Sequence, residues 1–136
     1  MRKQKIPKIL ESKKFVAFDC DDTLVMWNSV PFQDEIDLYG TIPFKDPYSD
    51  KMTHNLKPHK KHIQKLKGYS RSGWTVMVWS AGGWEWAKTV VETLGLQDYV
   101  DLIMSKPDIC YDDLPVGEGI SIRKYYIDGK NKKKDE

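Results

Sequence analysis

Phe15-Val16-Ala17-Phe18-Asp19-Cys20-Asp21-Asp22-Thr23-Leu24 is the stretch on which the reading of this 136-residue chain turns. Its four apolar residues, β-branched and aromatic among them, predict a buried strand that runs straight into three carboxylates. Acids crowded at the end of a hydrophobic strand repel one another. The arrangement makes sense where a cation neutralises the charge or one acid holds a proton. While the chain stays extended, Asp19 and Asp21 project to the same side. That sets two oxygen ligands, or a nucleophile and an acid, around one small centre. The plain alternative is a strand that ends in a solvated acidic turn.

Length bounds the rest. The chain predicts one domain with a real core and no room for a sizeable second one, here taken as residues 15–129. Apolar and charged fractions are ordinary for a soluble protein, which argues against a disordered or membrane-spanning class. No apolar run reaches transmembrane length and the first residues lack the apolar segment of a signal peptide, so a cytoplasmic protein without membrane contact is expected. Cys20 and Cys110 make no disulfide framework, in keeping with a reducing compartment. Charge is uneven along the chain: residues 1–14 carry Arg2, Lys3, Lys5, Lys8, Lys13 and Lys14 against Glu11 alone, and 130–136 are again lysine-rich. Both ends read as basic, solvated tails.

After the acids, residues 25–57 show no sustained helical period and contain Pro31, Pro43 and Pro47. They predict a short flap of irregular or hairpin structure, with extended pieces near 35–38 and 51–56, too small for a folded cap domain. Its aromatics are placed to line an entrance or to anchor the loop to the body. Pro58 to Ser72 predicts a helix with Lys60, Lys61, Lys65 and Lys67 on its outer face, and the span 51–71 contains no acid. His54, His59 and His62 lack metal-site spacing and are read as surface or packing residues.

Trp74 to Ser80 is continuous in apolar residues, as a central parallel strand should be. It passes through Ala81-Gly82-Gly83 into a predicted helix, Trp84 to Leu94, with Gly95 as its stop. Ser80 and the backbone N–H groups of a glycine turn at a helix start favour a phosphate oxygen. A third strand is predicted over Val100 to Ser105, followed by Lys106-Pro107. A short fourth one, Ile109 to Asp113, ends in paired acids, and an extended piece spans Ile120 to Ile127. The connection from Ser105 to Ile109 is short for a parallel crossover, which normally needs a dozen or more residues.

Taken in order, these features resemble the haloacid-dehalogenase-like (HAD) phosphatases. Asp19, Asp21 and Thr23 match the Asp-x-Asp-x-Thr of that family's first motif, with Asp22 where glycine is commoner. Ser80 resembles the second motif, Lys106 the third, and Asp112-Asp113 the paired-acid form of the fourth. Asp128, in Tyr125-Tyr126-Ile127-Asp128-Gly129, is the competing choice for the fourth. The resemblance implies a compact, capless member: a Rossmann-like three-layer α/β/α sandwich with a central parallel sheet and the site at the carboxyl ends of its strands.

It also implies a Mg²⁺-dependent phosphomonoester hydrolase. Mg²⁺ would be held by Asp19, the Asp21 backbone carbonyl and Asp112 or Asp113. Asp19 would attack phosphorus, Asp21 would serve as acid and then base, and Ser80 and Lys106 would hold the phosphoryl oxygens. Asp22 and Thr23 shape the loop. Trp27 and Trp84 are expected at the substrate entrance, where an indole stacks a nucleobase, so nucleotides or nucleic-acid terminal phosphates are the expected substrates. Three other readings stay open. One is a regulatory or binding module that keeps the fold without turnover, and another is a sugar-phosphate phosphatase closed by oligomerisation. The third is a receiver-like domain, which carries its phosphorylated aspartate after a later strand.

Overall fold

The structure is a computed structural model that describes residues 14–27 and 35–113. Within them the chain is mixed α/β, with a parallel three-stranded sheet, an antiparallel three-stranded sheet and two α-helices. The basic tails (Lys14 excepted), the Ile120–Ile127 piece and Asp128 lie outside the described residues.

The parallel sheet is built from β1 (Phe15–Asp19), β5 (Thr75–Ser80) and β6 (Leu102–Ser105), with β5 in the middle. β5 is the strand whose unbroken apolar run predicts a centre, and Thr75, Val76, Val78 and Ser80 are buried. The apolar run of β1 predicts a buried strand as well, yet Phe15 and Ala17 are exposed and only Phe18 is fully inside. The pattern follows the strand's alternation: Phe15 and Ala17 project from the face opposite to Val16 and Phe18, and only the latter face meets the core. The register sets Asp19 opposite Trp79 and Ser80 opposite Ser105, which brings the carboxyl ends of all three strands level.

The flap is a hairpin. β3 (Ile42–Lys45) and β4 (Thr53–Pro58) pair antiparallel, and β4 also pairs with the short β2 (Val25–Met26). The predicted piece at 35–38 is not a strand; it contributes one bridge, Leu38 to His59. Pro43 lies on β3, at the edge of its sheet, where a missing N–H is harmless. Asp46 turns the hairpin by accepting the Tyr48 N–H at 2.7 Å.

The first helix, α1, runs Lys60–Arg71, two residues later than expected. Pro58 does not open the helix but ends β4 opposite Val25, and its carbonyl accepts the Tyr39 N–H at 2.9 Å. His59 is the N-cap: its Nδ1 accepts the His62 N–H at 3.2 Å. α2 runs Trp84–Thr93 and packs on β5, β6 and β3, with Ala87, Val90 and Val91 in the core. Burying such aliphatic side chains contributes ~1.5–3 kcal/mol for each of the larger ones, and this is what fixes α2 against the strand ends.

The predicted fourth strand, Ile109 to Asp113, is absent. Those residues are coil, with Ile109 and Tyr111 strongly exposed. Pro107 removes a ladder donor, and the few residues after β6 cannot carry a parallel crossover. No helix among the described residues is long and apolar enough to cross a membrane.

Candidate active site

The loop that follows β1 is closed by its own backbone. The N–H groups of Thr23, Leu24 and Val25 all converge on the Cys20 carbonyl at 2.9–3.2 Å, and the Asp22 N–H donates to Val25 O at 2.7 Å. Such a tight loop requires one left-handed residue, and Asp22 is it, at φ 60°. Aspartate tolerates that region because its short side chain can bond locally, and Asp22 Oδ1 accepts the Trp27 N–H at 3.1 Å. The position where the family resemblance leads one to expect glycine therefore has a conformation that glycine favours. Leu24, Val25 and Met26 are fully buried and pin the loop from below.

His62 Nδ1 donates to the Thr23 carbonyl at 2.8 Å, and the His59 N–H to the Leu24 carbonyl at 2.8 Å. The two rings stack 3.8 Å apart and are buried, so these histidines are packing residues that tie α1 to the acidic loop.

Above that loop, Lys106 Nζ lies 3.2 Å from Asp19 Oδ1, and Thr23 Oγ1 donates to Asp19 Oδ2 at 3.4 Å. The Lys106 and Asp19 side chains remain 36% and 31% exposed. At that exposure an ion pair adds less than about 1 kcal/mol to stability; its importance is charge balance at the strand ends. Lys106 is delivered there by β6, and its N–H donates to the Ser80 carbonyl at 2.9 Å. The Cys20 thiol, buried between the two acids, is pushed far up by desolvation and then by the negative charge of Asp19 and Asp21.

Asp21 is tied on one side. Its Oδ1 accepts the Trp27 indole N–H at 3.0 Å and the Trp86 indole N–H at 2.9 Å. Trp86 is 6% exposed and meets Phe44 and His54 edge-on at 6.2 and 5.7 Å between ring centres. Trp27 lies 5.1 Å from His54. Trp86 joins the acids although Trp84 is the neighbour that the sequence suggests. The Trp84 side chain is half exposed and lines a groove with Val91, Val100 and Ile103 that no site residue shares.

Ser80 is buried, and its Oγ accepts the Gly82 N–H at 3.0 Å. The hairpin tip reaches this turn. The Tyr48 hydroxyl lies 2.7 Å from the Gly82 carbonyl and 3.2 Å from Glu85 Oε1, acceptors that share its one proton. Desolvation and the bond to Glu85 raise the Tyr48 pKa, with the Trp86 backbone N–H pulling the other way.

Asp112 and Asp113 are both exposed. Among the described residues no group of three His, Cys, Asp or Glu side chains is assembled for a metal ion. Asp19 and Asp21 still offer hard oxygen donors, and Mg²⁺ often takes one or two carboxylates together with waters and a substrate phosphate. To that extent the residues fit the ion. Comparisons with protein-family models, curated proteins and solved structures found no match.

Proposed function

We propose that the chain is a Mg²⁺-dependent phosphomonoester hydrolase of the HAD type, acting through an aspartyl-phosphate on nucleotides or nucleic-acid terminal phosphates. The observation that carries the reading is the convergence of Asp19, Ser80 and Lys106 at the carboxyl ends of three parallel strands, with the Lys106 ammonium 3.2 Å from the Asp19 carboxylate. A carboxylate beside a fixed cation, next to a glycine turn that opens a helix, suits attack on an anionic phosphoryl group. The same proposal makes the three-stranded sheet and its two helices part of a three-layer sandwich, with the β3–β4 hairpin in place of a cap domain.

In this mechanism an Asp19 oxygen would form a bond to phosphorus as the bond to the leaving oxygen breaks, and Asp21 would give that oxygen its proton. Asp21 would then take a proton from water as the water oxygen bonds to phosphorus and the Asp19–phosphorus bond breaks. Lys106 would face the phosphoryl oxygens throughout, and the glycine turn after Ser80 would offer its backbone dipoles. Asp19, the Asp21 carbonyl and an acid from the 112–113 pair would hold Mg²⁺, which supplies charge screening when bound. The substrate class is supported by exposed Lys61 and Lys65 on α1, whose first turn is anchored under the acidic loop, within a stretch free of acids.

The test is Mg²⁺-dependent hydrolysis of p-nitrophenyl phosphate by wild type and by Asp19→Asn, a near-isosteric change that removes the attacking group. The variant should fold normally and lose more than about a hundredfold in rate, some 3 kcal/mol of barrier. Retained turnover in Asp19→Asn would remove Asp19 from this role.

A further inference from the structure

We infer that Trp86 and Trp27 are positioning residues that clamp Asp21 so that a single carboxylate oxygen is left for the reacting proton. The inference rests on the hydrolase reading and names what holds the acid in place.

A half-buried indole N–H must find an acceptor somewhere, and one such bond to a carboxylate would mean only that the donor is satisfied. Here two indoles from different parts of the chain reach the same atom. Trp27 follows β2 and Trp86 belongs to the first turn of α2, yet both donate to Asp21 Oδ1, at 3.0 and 2.9 Å. Asp21 Oδ2 has no hydrogen-bond partner among the described residues. The two carboxylate oxygens are therefore inequivalent: one accepts two fixed donors, and the other is the one that the proposal gives to the substrate or water oxygen.

The donors are themselves immobilised. Trp86 packs against Phe44 of β3 and His54 of β4, and Trp27 packs against His54 and Trp86. A carboxylate held by two such donors loses its freedom to rotate about its last bond, the pre-organisation that proton transfer at a set distance requires. The clamp also makes the hairpin part of the machinery, since both walls behind Trp86 come from it.

Proton donation matters in proportion to the basicity of the leaving oxygen. A p-nitrophenolate departs without a proton, whereas an alkoxide does not. The experiment measures kcat/KM for p-nitrophenyl phosphate and for an alkyl phosphate such as a nucleoside 5′-monophosphate, in wild type and in Trp86→Phe. Phenylalanine keeps an aromatic ring in the slot and removes the N–H. The expected result is a loss of at least about tenfold on the alkyl substrate and of less than about threefold on the aryl one. Trp27→Phe, which removes the second donor from the other side, should bias the two substrates the same way. Should Trp86→Phe fold poorly, its melting temperature will show it and the Trp27 variant decides the question. Equal losses on both substrates in the folded variant, or no loss on either, overturn the clamp. The hydrolase reading stands or falls separately, on wild-type turnover and on Asp19→Asn.

Discussion

Gly83→Ala is the perturbation whose cost is most directly legible in the geometry. Gly83 precedes α2 at φ 105°, ψ 157°, a region that is essentially restricted to glycine and costs other residues ~1–3 kcal/mol. A methyl there also runs into the Tyr48 hydroxyl. Tyr48 is more than half exposed and can swing away, but doing so breaks its hydrogen bond to the Gly82 carbonyl, a net loss of ~0.5–1.5 kcal/mol. The two parts sum to roughly 1.5–4.5 kcal/mol, a large share of the ~5–15 kcal/mol that stabilises an ordinary domain. Urea unfolding followed by tryptophan fluorescence should show a lower midpoint at unchanged m-value. A double-mutant cycle with Tyr48→Phe then separates the terms. Without the hydroxyl, the nearest ring atom is Cζ at 3.6 Å, an ordinary contact. In the Tyr48→Phe background Gly83→Ala should therefore cost less by about the value of the lost hydrogen bond. Additive behaviour within ~0.3 kcal/mol would refute the placement of the hairpin tip on this turn, and a single-mutant cost under ~1 kcal/mol would refute the glycine-only backbone conformation at Gly83.

Two further outcomes are expected. If Asp112 and Asp113 supply the remaining metal ligand, replacing both by asparagine raises the Mg²⁺ concentration needed for half-maximal turnover far more than Asp128→Asn does; the reverse order would move that role to Asp128. At the hairpin, Asp46 accepts from His54 at 2.9 Å and from the Tyr48 N–H, which together hold its pKa below the usual 3.8. A carboxylate with a depressed folded pKa contributes stability that is complete above its unfolded value and disappears as pH falls through the folded one. The protection of the Tyr48 amide, taken against its intrinsic exchange rate at each pH, should thus fall below about pH 4 in wild type and lose that acid step in Asp46→Asn; an identical protection profile in both proteins counts against the pairing.

The elements legible in the sequence are those whose patterns answer to one dominant force. β5 and α2 follow from continuous and from helical apolar spacing, and both form nearly as expected, α2 ending one residue early. The start of α1 is harder to read because Pro58 suits a first helical turn as well as a strand end. Only tertiary pairing with Val25 decides between them. Ile109 to Asp113 looks like a strand by composition, yet a strand exists only where a neighbour offers its ladder. After Lys106-Pro107 the chain has too little length to reach one on the parallel sheet, and that length is readable from the start.

The site divides along a similar line. Asp19, Ser80 and Lys106 are findable because each stands at a strand end, and parallel strands in register carry their ends to one edge. The partners of Asp21 are harder, since they depend on helix phase and on a hairpin rather than on motif order. Val90 and Val91 mark the buried face of α2, and Trp86 stands four residues before Val90 while Trp84 stands seven before Val91, so the two indoles flank that face from either side. Counting phase back from the valines leaves both tryptophans as candidates, and only the fold puts Trp86 inside and leaves Trp84 half exposed. What phase cannot supply is the acceptor: the indole meets Asp21 only because β1 and β5 lie side by side, with the loop after each at the same end of the sheet. The acid and its clamp are thus a property of the strand pairing, and weakening the β1–β5 register would disturb Asp21 before it disturbed the distant core.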